Sequence, residues 1–146
     1  MSVPDSSWVG RVAIVTGGGA GVGRATALRL GALGVAVLVA DLRTDAAEHT
    51  ADLVVAGGGA ARAQRTDVSD EASVAAMVDA AVAAFGRLDH LHNNAAALGA
   101  DVYGRDGQIH DLDLAVWNTS LGVNATGALL GIKHAVPFMV KDGGGS

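Results

Sequence analysis

Five glycines crowd into eight positions at Thr16-Gly17-Gly18-Gly19-Ala20-Gly21-Val22-Gly23. The run before them, Val12-Ala13-Ile14-Val15, is short, apolar and rich in β-branched residues. The segment after them, residues 20–33, is rich in helix formers, and Gly34 stands where a helix-terminating glycine belongs. A strand, a glycine turn and a helix in immediate succession leave few folds open. Such a turn lets backbone approach an anion, while the helix start offers unpaired N–H groups and positive potential. The spacing G-x-G-x-x-G fails from Gly17, because Val22 holds the sixth position, and from Gly19, because Arg24 does. The pattern that fits is T-G-x-x-x-G-x-G, with Gly17, Gly21 and Gly23. Taken alone, it is also compatible with a glycine-rich turn that binds nothing.

The alternation continues along the chain. Residues 35–40 form a second unbroken apolar run. Residues 45–56 read as a helix, with Asp45 and Glu48 spaced as a capping box, and Gly57-Gly58-Gly59 stops it. Residues 60–66 are a weak third strand. The clearest helix covers residues 70–85, where Val74, Met77, Val78, Ala81, Val82 and Phe85 fall on one face. Ser69 is the expected cap, with Asp70 and Glu71 in the first turn and Gly86 at the end. Residues 88–93 read as a fourth strand, residues 97–111 as a long loop, and residues 113–140 as a last helix. Strands that are apolar throughout belong to a sheet covered on both faces. The expected class is α/β: a Rossmann-type, doubly wound parallel sheet of strands 1–4 with flanking helices, in the order 3-2-1-4.

Composition excludes several alternatives. Ten Lys and Arg against fifteen Asp and Glu give a net charge of −5 with no basic run, so no nucleic-acid partner is expected. With no cysteine there is no disulfide framework and no thiolate metal site or nucleophile, and a cytoplasmic location is the default expectation. No apolar run approaches the roughly 20 residues that span a bilayer, so no membrane partner is expected, and residues 1–11 do not read as a secretory leader. Aromatic residues make up only 3%, so the core has to be built from small aliphatic side chains.

Asp41 ends the second strand. A carboxylate there accepts hydrogen bonds from the hydroxyls of an adenine ribose and repels a 2′-phosphate, which favours NAD over NADP. Arg43, two residues on, is within reach of such a phosphate. Asp67-Val68 and Asn93-Asn94-Ala95-Ala96 say little singly, since acids before helices and paired asparagines both suit turns. His90 and His92 face one side of a strand, but the sequence places no third ligand beside them, so no metal is expected. In the last helix Asn124 interrupts a face shared by Trp117, Leu121 and Ala128. If that amide were buried unpaired, it would cost about 1–3 kcal/mol.

Taken in order, the glycine turn, Asp67-Val68, Asn93-Asn94-Ala95 and Val123-Asn124 resemble the classical short-chain dehydrogenases/reductases (SDR) over the whole chain. The resemblance implies an NAD(P)-dependent oxidoreductase that moves hydride between the cofactor and a small alcohol or ketone. The cofactor-binding residues it implies are Gly17, Gly19, Gly21, Val22, Gly23, Asp41, Leu42, Asp67, Val68, Asn94, Ala95 and Ala96. Ala96 departs from the family's N-N-A-G by one methyl. Asn124 matches the catalytic asparagine that holds a water in the proton relay. Gly143-Gly144-Gly145-Ser146 reads as a linker on composition, but as the turn into a fifth strand under the resemblance. The family's catalytic serine and Tyr-x-x-x-Lys pair follow that strand. Tyr103, the only tyrosine here, is followed four positions later by Gly107 and does not match. Residues 1–146 are therefore expected to be the NAD(P)-binding domain, truncated before the catalytic segment, with loop 97–111 beside the site. In isolation, with strand four as an open edge, they are expected to be marginally stable. A homo-oligomer through the last helix is also expected, with Gly122, Gly127 and Gly131 admitting a neighbouring helix. The alternative is a non-catalytic NAD-binding or oligomerisation module.

Overall fold

Successive side chains of a strand point to opposite faces, and in β1 (Val12–Thr16) both faces are buried. A computed structural model of the chain describes residues 7–100, 102, 104, 105 and 107–146. Tyr103 and residues 1–6, which carry part of the leader reading, lie outside them. β1 is central, flanked by β2 (Ala36–Asp41) and β4 (His90–His92), with β3 (Ala61–Arg65) beyond β2. All pairings are parallel and the order is β3-β2-β1-β4, the arrangement read from the sequence.

Helices α1 (Gly21–Ala32) and α2 (Thr44–Ala56) cover the face bearing Ala13, Val15, Val37 and Val39. Helix α3 (Glu71–Phe85) and the last helix cover the face bearing Val12, Ile14 and Leu38. The first layer is assembled from Ala27, Ala47, Ala51 and Val54, and Gly31 passes so close to Val54 that a Cβ there would lie 2.5 Å from its methyl. Small side chains draw these two helices close to each other and to the sheet.

Several boundaries differ from expectation, each because a side chain takes a backbone group. Asp70, not Ser69, caps α3, accepting the Ser73 N–H at 3.1 Å, while the Ser69 hydroxyl donates to Asp67. α2 starts at Thr44, one residue before the proposed capping box, and no side chain caps it. The reason lies upstream: Asp41 Oδ1 accepts the Arg43 N–H at 3.0 Å and turns the chain early. β4 is shorter than residues 88–93 because the Leu88 N–H bonds Asp142 and the Asn94 N–H bonds Thr16.

The last helix has three parts. α4 (Leu114–Leu121) passes through a π turn (Gly122–Thr126) into α5 (Gly127–Lys141). The glycine stripe does not face outward. A Cβ on Gly127 would lie 2.9 Å from Val68, and one on Gly131 would lie 2.7 Å from Asn93 Oδ1. These two glycines let α5 settle on its own sheet and do not admit a neighbour, which corrects their expected role. The outward face instead carries Leu114, Trp117, Leu121, Leu129, Ile132, Val136 and Val140. Leu129 follows Leu121 by eight positions, and the wider π turn between them takes up the extra residue.

The β4 edge is not wholly open. Ser146 donates its N–H to Asp89 and accepts that of Leu91, both at 2.9 Å, which is the parallel-ladder bracket around His90. This fits the reading of residues 143–146 as a turn into a strand. His90 and His92 lie where α1 and α2 no longer cover the sheet, so neither imidazole is enclosed. His90 packs 5.3 Å from the Trp8 ring, and burial lowers its pKa; His92 is exposed.

Asp89 anchors the opposite end of the sheet from the glycine turn. It is 1% exposed and bonds Arg11 at 2.7 Å, Arg87 at 2.6 Å and the Val12 N–H at 2.9 Å. Burial alone pushes its carboxyl up, but the bonds from Arg87, Arg11 and Val12 outweigh it and bring the pKa from 3.8 down to about 2. A folded-state pKa below the unfolded value means the stabilisation is complete above about pH 4 and is lost as pH falls toward 2, a contribution of about 2 kcal/mol. Thermal melts across that window should show Tm of the native chain falling. Asp89→Asn should be less stable near neutrality and flatter with acid, and parallel curves for the two would remove the assignment.

Candidate functional site

Parallel strands bring the carboxyl ends of β1, β2 and β4 to one edge of the sheet, where the glycine turn and loops gather. Thr16, the last residue of β1, is 2% exposed. Its hydroxyl accepts the N–H groups of Asn94 at 3.0 Å and Ala95 at 3.1 Å and donates to His92 O at 3.3 Å. That uses the hydroxyl's full capacity. The Asn94 amide in turn donates to Thr16 O at 3.0 Å and Gly17 O at 3.2 Å. The start of the glycine turn is thereby joined to the end of β4.

The glycines make this junction possible. Gly17 has φ +63°, and a Cβ there would lie 2.9 Å from Ala95 Cα. A Cβ on Gly23 would lie 2.2 Å from Gly17 O, so α1 begins pressed against the turn. α1 has no acid in its first turn and no side-chain cap, which leaves its N-terminal dipole free to face an anion. Val22 is exposed at this end. On the far side of the turn Arg24 donates to Gly19 O and, at 3.1 Å, to the buried Thr50 hydroxyl, tying turn to α2.

Asp41 completes the edge. Its Oδ2 accepts the Gly19 N–H at 2.9 Å, and its Oδ1 lies 3.8 Å from Arg43 Nε. Each carboxylate oxygen accepts two bonds, so capacity remains toward solvent. Asp67 Oδ1 holds the Ser69 N–H at 2.9 Å, and Val68 is buried behind it. A cleft of about 260 Å³ runs across these groups. Of the sequence-derived residues, Gly17, Asp41, Leu42, Asp67, Val68, Ala95 and Ala96 line it. Gly19, Gly23 and Asn94 shape its floor from behind, and Gly21 and Val22 stand at the helix mouth. Ala96 is unstrained, because no non-glycine among the described residues has positive φ.

Asn124 does not line that cleft itself but borders a small hollow beside it with Thr16, Val68, Ala95 and Val123. It sits in the π turn, exposed, and its Oδ1 accepts the Ala97 N–H at 2.9 Å. The face it was read to share is solvent-facing, since Trp117 and Leu121 are exposed as well. With Ala97, Leu98, Val102, Val116 and Ser120, Asn124 lines a second hollow of about 470 Å³. Sequence reasoning missed Thr16 as the junction, although it opens the glycine pattern. Leu98 and Val102 bring loop 97–111 to the cleft wall as expected, whereas Thr119 was missed, because no periodicity marks it. Among the described residues no cluster of three or more His, Asp or Glu side chains is placed to hold a metal ion, and no helix is long and apolar enough to cross a membrane.

The short chain dehydrogenase family model matches residues 11–146, and the chain belongs to that family. It is 39% identical over 137 residues to 2,5-dichloro-2,5-cyclohexadiene-1,4-diol dehydrogenase LinX of Sphingobium indicum, covering 94% of this chain and 52% of the relative. It is 40% identical over 136 residues to cis-4-hydroxycyclohexanecarboxylate dehydrogenase of Sinomonas cyclohexanicum, covering 93% of this chain and 52% of the relative. A short-chain dehydrogenase/reductase of Burkholderia phymatum, solved in complex with NAD, superposes with a TM-score of 0.85 at 36% identity, over 92% of this chain and 46% of that one. The chain thus spans about half the length of the relatives it matches. Members of this family bind a nicotinamide cofactor.

Removing the Asn94 amide in Asn94→Ala deletes both bonds to the turn and should cost about 2 kcal/mol. Urea denaturation checks this, and an unchanged midpoint would mean that the turn is held by other contacts.

Proposed function

We propose that this chain is the NAD-binding portion of a dehydrogenase that interconverts a cyclic secondary alcohol and its ketone. The observation that carries the cofactor assignment is Asp41, fixed on Gly19 N–H at the end of β2 and facing the cleft. The residues present fit such a group: glycine positions that a Cβ would fill, an uncapped helix start free of acids, and a carboxylate with capacity to spare. Gly17, Gly21, Val22 and Gly23 would present backbone N–H groups to the pyrophosphate, with Gly19, whose N–H is held by Asp41, shaping the turn beside them. Asp41 would accept from the adenine ribose hydroxyls, with Leu42, Asp67 and Val68 around the adenine. Asn94, Ala95 and Ala96 would border the nicotinamide end. When bound, the cofactor supplies the redox step by taking up or giving a hydride.

Asn124 holds loop residue Ala97 by its side chain. Its assigned part is to position a water for proton movement. Of the family's catalytic positions, Asn124 is the one that these residues match. The cyclic-alcohol class is supported by the names of the relatives, which act on ring-borne hydroxyls.

Isothermal titration of the chain tests the reading. NAD should bind more tightly than NADP, and Asp41→Ala should weaken NAD by roughly tenfold to a hundredfold, the loss of hydrogen bonds to a charged acceptor. Equal affinity in native chain and variant would overturn the assignment.

A second copy of the chain packs on the outward row of the last helix in this reading. That row has seven large apolar side chains exposed, among them Trp117 at 47% and Leu129 at 63%. An apolar row of this kind on a solvated helix marks an association surface. Light scattering on eluted protein should give a dimer or larger assembly, and Leu129→Glu with Ile132→Glu should reduce it to a monomer. A native chain that elutes as a monomer would rule this face out.

A further inference from the structure

The glycine turn is held from a side that does not line the cleft. Gly18 donates its N–H to Ala40 O at 3.0 Å and Gly19 donates its own to Asp41, so both donors turn toward β2. The Gly19 carbonyl is taken by Arg24. Helix side chains lean back toward the N-terminus, and Arg24, near the start of α1, reaches over the turn that precedes it. Its Nη2 donates to Gly19 O, and its Nε donates to the Thr50 hydroxyl on α2 at 3.1 Å. Thr50 is fully buried, and neither residue lines the cleft. A valine at position 50 would pack among the alanines without needing a partner, whereas a buried hydroxyl is costly unless bonded. The hydroxyl is a fixed seat for the guanidinium, and the guanidinium fixes the carbonyl.

The peptide joining Gly19 to Ala20 is trans and planar, so its C=O and its N–H point in opposite directions. With the carbonyl drawn to Arg24, the Ala20 N–H is directed to the other side of the turn, where Ala20 is exposed. Glycine at position 19 puts little restraint on this peptide, and a flipped peptide would present an oxygen where an anion needs a donor. From this geometry we infer that Arg24 is a positioning residue for the phosphates of the bound dinucleotide: by holding Gly19 O it keeps the Ala20 N–H aimed at them. The inference rests on the dinucleotide reading of the cleft and extends it to a residue outside the cleft.

ADP and adenosine separate this role from a general contribution to the fold, because only ADP carries phosphates. Titration calorimetry of the whole chain should show Arg24→Met weakening ADP by roughly tenfold and leaving adenosine unchanged. The ratio should persist at about 1 M salt, where charges are screened over about 3 Å, because a misdirected peptide causes it and not a missing cation. Thr50→Val keeps the charge, removes its seat and should weaken ADP by about threefold, whereas Thr50→Ser keeps the hydroxyl and should bind as native protein does. In amide NMR spectra the Ala20 resonance should move with ADP in native protein and move less in Thr50→Val. If Arg24→Met does not melt cooperatively, Thr50→Val against Thr50→Ser makes the same comparison. Folded Arg24→Met and Thr50→Val proteins that bind ADP as native protein does overturn the inference and leave the cofactor reading intact. A loss shared equally by adenosine, or one that disappears in salt, does the same. Failure of ADP to bind native protein or any variant overturns both.

Discussion

One buried hydroxyl, that of Thr16, coordinates the carboxyl edge of the sheet. It accepts two N–H groups from the chain leaving β4 and donates to a third backbone group there. The Asn94 side chain returns the connection by holding the two carbonyls that begin the glycine turn. Without this reciprocal junction, the turn and the loop after β4 would be independent segments. With it, the site floor is a single piece of backbone whose position is set by β1, the most enclosed strand. The absence of side chains at Gly17 and Gly23 is the steric condition for the same contact.

The two ends of the sheet use carboxylates in opposite ways. Asp89 is saturated by two arginines and a backbone N–H and is sealed from water, which suits a purely structural anchor. Asp41 also holds backbone N–H groups, yet it lines a cleft and keeps lone pairs uncommitted. Both residues sit at strand ends, and of the two only Asp41 carries a reading from sequence, as a ribose contact. Their difference comes from what surrounds them: Arg11 and Arg87 close around one, while Arg43 stays outside the other.

What was legible in the sequence was whatever a local pattern controls. Unbroken apolar strands announced a sheet buried on both faces, and the spacing of Val74, Met77, Val78 and Ala81 announced the α3 face that packs on it. Glycine spacing located the turn. What escaped was set by contacts between distant segments. Ser69 lost the cap of α3 to Asp70 because its hydroxyl was drawn to Asp67. Gly127 and Gly131 read as an outward stripe, but the π turn and the Val68 contact turn them inward. The same extra residue brings Asn124 to the backbone of Ala97, a bond across 27 positions that no local pattern encodes.

The alanine-built layer between α1, α2 and the sheet has a consequence of its own. A core of large side chains is chiefly vulnerable to holes, since truncation leaves space that neighbours cannot fill. Here Ala27, Ala47 and Ala51 have little left to lose, and Gly31 already lies against Val54. Sequence drift in this layer is therefore restricted from above: each added methylene must displace a helix or force a strained rotamer. The distance between helix and sheet, and with it the placement of the glycine turn that α1 carries, is enforced by the smallness of what lies between them.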